Sequence, residues 1–85
     1  MRAYVLVQTA TASGAIASAL KRIPGVLGAE DLRGPYDAIA LTGADTFDQS
    51  LERIITEIRD LPNVTRALMA PLIRPLNELS EGEAA

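Results

Sequence analysis

Residues 20–26 read LKRIPGV and residues 58–64 read IRDLPNV. Both follow one plan: the last turn of a helix, a proline that cannot continue it, a residue tolerant of left-handed backbone (Gly25 or Asn63), and a valine that opens a strand. Two such helix-to-strand turns divide a short chain into similar halves, and the halves decide the fold.

Upstream of the first turn, Ala3 to Thr9 (AYVLVQT) is apolar on both alternating faces, with Val5 and Val7 on one and Tyr4 and Leu6 on the other. That pattern predicts a strand covered on both sides. In the TASG that follows, Thr11 or Ser13 serves as a helix N-cap, and Ile16, Ala19, Leu20 and Ile23 recur at helical spacing. Beyond the turn, Val26 to Arg33 and Tyr36 to Gly43 read as two strands joined by a short Gly34-Pro35 connection, an antiparallel hairpin. After the Ala44-Asp45 loop, Thr46-Phe47-Asp48-Gln49 matches a capping box. The helix it starts carries Phe47, Leu51, Ile54, Ile55, Ile58 and Leu61 on one stripe, with Glu52, Arg53, Glu57 and Arg59 on the wet side. Val64 to Ala70 is the last clear strand; LIR after Pro71 fits a short edge strand, and residues 76–85 read as a flexible acidic tail.

The order is β-α-β-β-α-β over residues 1–75, an α+β, ferredoxin-like fold: a four-stranded antiparallel sheet with two helices on one face. Helices on one side leave the other side bare, and one apolar row of the first strand must lie there. A monomer rarely exposes such a patch, so the sheet is expected to pack on a second copy. Composition agrees. The chain has 85 residues, 48% of them apolar, and neither cysteine nor histidine, so disulfides and the usual zinc sites cannot reinforce a small core. Eight basic and eleven acidic residues give a net charge of -3, and the basic ones are scattered. No direct nucleic-acid contact is expected without a basic patch, and no apolar run reaches membrane-spanning length. A cytoplasmic location is the expectation that follows.

The segments AYVLVQT, LKRIPGV, RGPYDAIAL and IRDLPNV, taken in order and spacing, resemble the effector-binding domain of the Lrp/AsnC (leucine-responsive and asparagine-responsive) transcription regulators, over roughly residues 3 to 73. Members of that family carry a helix-turn-helix domain ahead of this one; here the first strand starts at residue 3, so a stand-alone version of the sensing domain is expected. The resemblance implies a dimeric α/β barrel, rings of dimers, and amino acids or related small molecules bound between subunits. It further implies that the hairpin loop walls the effector cleft, which points to Gly34, Pro35, Tyr36 and Asp37, with Ala67 and Met69 on the last strand opposite.

The chemistry of the loop admits two readings. Glycine lets backbone come close, main-chain N–H groups accept a carboxylate, and Asp37 pairs with an ammonium; equally, Gly-Pro is a sufficient turn and Asp37 its stabiliser. The family often has threonine hydroxyls on the last strand, whereas Ala67, Leu68 and Met69 stand there in this chain and suit an apolar ligand instead. No catalytic residue, metal ligand or cofactor is expected: the serines have no histidine to activate them, and the glycines form no nucleotide-binding fingerprint. Glu30 and Asp31 are adjacent on a strand and point to opposite faces. The expected function is therefore a non-enzymatic regulatory module that binds a small effector, forms dimers and higher rings, and modulates a full-length Lrp/AsnC-type regulator. The alternatives are a small cofactor-independent α/β-barrel enzyme of monooxygenase or isomerase type, with Gln8 the amide to watch, and a pure assembly domain with empty clefts.

Overall fold

A computed structural model of the chain describes residues 2–10, 16–43 and 51–72. Strand β1 (Arg2–Thr9) is followed by helix α1 (Ile16–Leu20), β2 (Val26–Asp31), β3 (Ala38–Gly43), helix α2 (Glu52–Arg59) and β4 (Val64–Pro71). The four strands form one sheet in the order β2-β3-β1-β4, every neighbouring pair antiparallel. This is the expected ferredoxin-like βαββαβ architecture. The N-cap at Thr11 or Ser13, the capping box at residues 46–49 with Phe47, the LIR segment beyond Leu72 and the tail at 76–85 lie outside the described residues.

The period-2 alternation of β1 sorts its side chains. Ala3, Val5 and Val7 are fully buried, while Tyr4, Leu6 and Gln8 are half-buried on the opposite face. Against the buried row stand small residues of the neighbouring strands: Ala38 and Ala40 on β3, Ala67 on β4 and Ala29 on β2. Their lack of bulk leaves room for the larger aliphatics of the helices, Ile16, Leu20, Leu51, Ile54 and Ile58. The core is accordingly aliphatic, as the scarcity of aromatics requires. Thr42 sits in it at 0% exposure because its hydroxyl donates to the Ala3 carbonyl at 2.9 Å, which leaves no polar atom unpaired.

The two repeated turns have the same geometry. Gly25 has φ 99° and Asn63 φ 77°, the left-handed region anticipated for both. In the first, Ile23 N–H donates to the Leu20 carbonyl and Val26 N–H to Ile23; in the second, Leu61 N–H donates to Ile58 and Val64 N–H to Leu61. Each turn is also tied to the other half of the chain. Ala10 N–H, at the end of β1, donates to the Asn63 carbonyl at 2.9 Å, and Gly43 N–H, at the end of β3, donates to the Gly25 carbonyl at 2.9 Å.

The hairpin differs from expectation. Its strands end at Asp31 and resume at Ala38, so the connection spans residues 32–37 rather than a tight Gly34-Pro35 bend. The flanking residues are diverted by bonds to other elements. Asp31 accepts the Ala17 N–H of α1 at 3.0 Å, and Asp37 donates its N–H to Val7 of β1 at 2.8 Å while accepting the Leu32 N–H at 2.8 Å. The expected two-sided covering of β1 holds within the protomer on the helix side alone. On α2, Arg53 and Glu57 form an ion pair at 3.0 Å, one helical turn apart on the wet side, and Arg53 also donates to the Pro24 carbonyl at 3.3 Å.

Gly25 is constrained twice over. A Cβ there would lie closer than 3.0 Å to two atoms of the buried Ile54 side chain, and the positive φ disfavours any L side chain. Gly25→Ala is expected to lower unfolding free energy by about 2 kcal/mol, roughly 8–16 °C in Tm, measured by denaturant and thermal unfolding.

Candidate functional site

The loop of residues 32–37 is built on the end of β1. Gln8 Nε2 donates to the Pro35 carbonyl at 2.7 Å, and the Asp37 Oδ2 atom accepts both the Thr9 N–H at 2.7 Å and the Thr9 hydroxyl at 2.9 Å. A carboxylate that accepts from a main-chain amide and a hydroxyl at once makes charge-assisted bonds, stronger than neutral ones. Gly34 adopts φ 136°, in the region that favours glycine, and apart from its chain neighbours no atom lies within 4 Å of where its Cβ would be. Gly34 and Pro35 are exposed, Tyr36 and Asp37 half-buried.

Of the six residues singled out as ligand contacts, Gly34 to Asp37 are therefore together at one end of the sheet. Ala67 and Met69 stand elsewhere. They pair with Val7 and Val5, on the row that packs against the helices; Ala67 is 3% exposed within the protomer and Met69 packs against the core. The Ala67 carbonyl accepts from Arg59 Nη2 at 3.2 Å. Glu30 and Asp31 diverge as strand geometry demands: Glu30 pairs with Ile39 on the helix-free face, and Asp31 turns toward α1.

The larger feature is the helix-free face itself. Its rows follow from the register: Gly28, Leu41, Tyr4 and Ala70 form one row across the sheet, and Glu30, Ile39, Leu6 and Leu68 the next. Gln8 and Arg66 pair in the row toward the hairpin. Tyr4, Leu6, Ile39 and Leu41 are half-buried, and Leu68 is 37% exposed. At the β2 side this face opens into a hollow of about 670 Å³ lined by Tyr4, Lys21, Leu27, Glu30, Ile39 and Leu41. The pairing shifts register between Val26 and Gly28, which places Leu27 at the edge with 56% exposure. A second hollow of about 380 Å³ lies beside β4, lined by Arg59, Thr65, Arg66, Ala67 and Leu68. Sequence reasoning anticipated a bare apolar face but left open which row of β1 it carried; the structure assigns it Tyr4 and Leu6. The signal that separates the rows is size: the residues that oppose the buried row on β3 are Ala38 and Ala40, whereas Ile39 and Leu41 face outward.

Among the described residues no cluster of acidic side chains could hold a metal ion, and no helix is long and apolar enough to cross a membrane.

A comparison with protein-family models gave no match, nor did one with curated proteins. Solved structures do match. The chain is similar to FFRP-DM1 with a TM-score of 0.73 and 30% identity, covering 85% of this chain and 97% of that one. It is similar to TTHA0845 from Thermus thermophilus (TM-score 0.71, 28% identity, 87% of this chain and 96% of that one). It also matches PF0864 from Pyrococcus furiosus, a transcriptional regulatory protein of the ASNC family, with a TM-score of 0.67 and 23% identity; there the similarity covers 87% of this chain and 51% of the regulator. The fold and its neighbours define a ferredoxin-like βαββαβ domain. The chain belongs to the family of FFRP-DM1, a relative that it covers almost end to end, and it shares its fold with the ASNC-family regulator PF0864.

Asp37 anchors the loop, so its removal is expected to cost stability before anything else. Asp37→Ala should lower unfolding free energy by about 1–3 kcal/mol, and Thr9→Val, which keeps the amide donor, by about 1 kcal/mol or less. Chemical denaturation of the two variants checks the order.

Proposed function

We propose that this domain is a non-enzymatic regulatory module that pairs with a second copy through its helix-free sheet face and takes a small effector at the hairpin end of the sheet. The observation that carries the reading is the face made of Tyr4, Leu6, Ile39, Leu41 and Leu68, apolar across its centre and uncovered by either helix. Burying such a face removes apolar area from water at roughly 25 cal/mol per Å², the driving force for most stable homodimers. Rings of dimers, and association with a full-length Lrp/AsnC-type regulator, extend this reading to the level at which such a module would act.

The effector is an apolar or aromatic amino acid, or its keto acid, held by main-chain groups of residues 32–37. The loop is suited to this by its exposure and by the bonds from Gln8 and Thr9 that hold it in one shape, since a preformed loop loses little entropy on binding. The commitment of Asp37 Oδ2 to Thr9, and the burial of Ala67, favour a second reading in which assembly alone is the function and the clefts are empty. An enzymatic role finds less support, because Gln8, the amide with most promise on β1, is spent on the Pro35 carbonyl.

Native mass spectrometry and sedimentation velocity separate the readings. The wild-type protein is expected to sediment as a dimer or larger at micromolar concentration, and Leu6→Glu as a folded monomer, because a charge at the centre of an apolar interface must be desolvated. A co-purified small molecule supports the sensor and an empty assembly the second reading; a wild-type monomer refutes pairing through this face.

A further inference from the structure

The internal repeat has a counterpart in space. Arg22 and Asp60 hold the same position in LKRIPGV and IRDLPNV, as do Ile23 and Leu61. All four line one groove of about 400 Å³ between the end of α1 and the end of α2, and no residue that lines it belongs to the sheet or to the hairpin loop. Its walls are pinned to each other. Arg53 on α2 donates through Nη1 to Glu57 Oε1 at 3.0 Å and through Nη2 to the Pro24 carbonyl at 3.3 Å, so one guanidinium ties a lining residue of α2 to a lining residue of the first turn. The backbone under the rims is fixed as well: Arg22 N–H donates to the Ala19 carbonyl at 3.2 Å and Asp60 N–H to the Thr56 carbonyl at 3.0 Å. The floor is apolar, with Ile23 8% exposed and Ala19 and Leu61 packed against the core. A groove whose shape exists before binding loses little entropy when it is filled.

The rims carry opposite charge. Glu57 is paired with Arg53, which leaves Arg22 on one side of the groove and Asp60 on the other. Both are exposed, and among the described residues neither enters an ion pair. Asp60 is also the C-cap of α2, where the helix dipole disfavours an acid, whereas the same dipole favours a base such as Arg22 at the end of α1. Helix termination therefore accounts for the arginine and not for the aspartate. A cation and an anion on either side of an apolar floor match a molecule that is apolar in its middle and oppositely charged at its ends.

From this juxtaposition we propose that the groove between the helix ends is a binding site for a short ω-amino acid, a molecule with a carboxylate and an ammonium at opposite ends of a methylene chain. The carboxylate pairs with the Arg22 guanidinium, the ammonium with the Asp60 carboxylate, and the chain lies over Ile23 and Leu61. The site is complete within one protomer. It is independent of pairing through the sheet face and of the effector proposed for the hairpin, so it stands or fails separately from both.

The test is a titration of the isotope-labelled full chain with ε-aminocaproate at low ionic strength, followed by amide chemical shifts. Saturable shifts are expected at Arg22, Ile23, Asp60 and Leu61. Arg22→Gln and Asp60→Asn should each weaken binding about three- to tenfold. Because the two rims are equivalent positions of the repeat, the chain that carries both Arg22→Asp and Asp60→Arg should take the ligand in the reverse direction and return to within about threefold of wild type. Caproate and hexylamine, each with one of the two charges, should bind about tenfold or more weakly than ε-aminocaproate. Both positions are exposed, so neither neutralisation should lower Tm, and a loss of binding is then not a loss of fold. The site is overturned if no saturable shift appears up to about 10 mM, if the shifts are confined to residues 32–37, if caproate binds as tightly as ε-aminocaproate, or if binding survives both neutralisations unchanged.

Discussion

The rest of the structure depends on a disproportion: β1 carries two apolar rows and lies between β3 and β4, yet the helices cover one side of the sheet. Ala3, Val5 and Val7 take that side, and the alanines opposite them let α1 and α2 come close enough to exclude water. The cost is transferred to the other side, where Tyr4, Leu6, Ile39, Leu41 and Leu68 retain apolar surface that an 85-residue chain has no further element among the described residues to cover. The fold thus solves its own core and creates the surface through which the proposed assembly forms. Fold and proposed function come from the same strand.

What the sequence revealed divides by the range of the interactions concerned. The turns at Gly25 and Asn63 were legible because their chemistry is local: a proline, a left-handed residue and two short-range bonds suffice, and no distant partner is needed to draw them. The stripe Leu51, Ile54, Ile55 and Ile58 was legible because burial follows the helical period. The hairpin was legible in existence but not in extent. Its ends are set by Thr9, Val7 and Ala17, residues remote in sequence, and no turn propensity contains that information. The burial of Thr42 was hidden for the same reason, since it depends on a carbonyl of Ala3 across the sheet.

The candidate site shows the same division. Gly34 to Asp37 were found as a group because they are consecutive, and Gly34 and Pro35 among them are exposed. Their link to Gln8 and Thr9 emerges only when β1 and the loop are brought together. Ala67 and Met69 came from matching the last strand by order, and alternation along that strand places them toward the helices while Arg66 and Leu68 face out. A one-residue shift along a strand exchanges the faces, so a motif match on a strand must specify parity as well as position.

The crossed bonds at the two turns, Ala10 to Asn63 and Gly43 to Gly25, have a consequence for how the molecule comes apart. Each βαβ half closes its own turn, but the end of its first strand is fastened to the turn of the other half, like two hooks passed through each other. Neither half satisfies all of its own strand ends. Opening either strand end removes a fastening from the opposite half, so each end of the sheet helps to hold the other closed. The two halves are thereby joined at both ends of the sheet as well as along its strands.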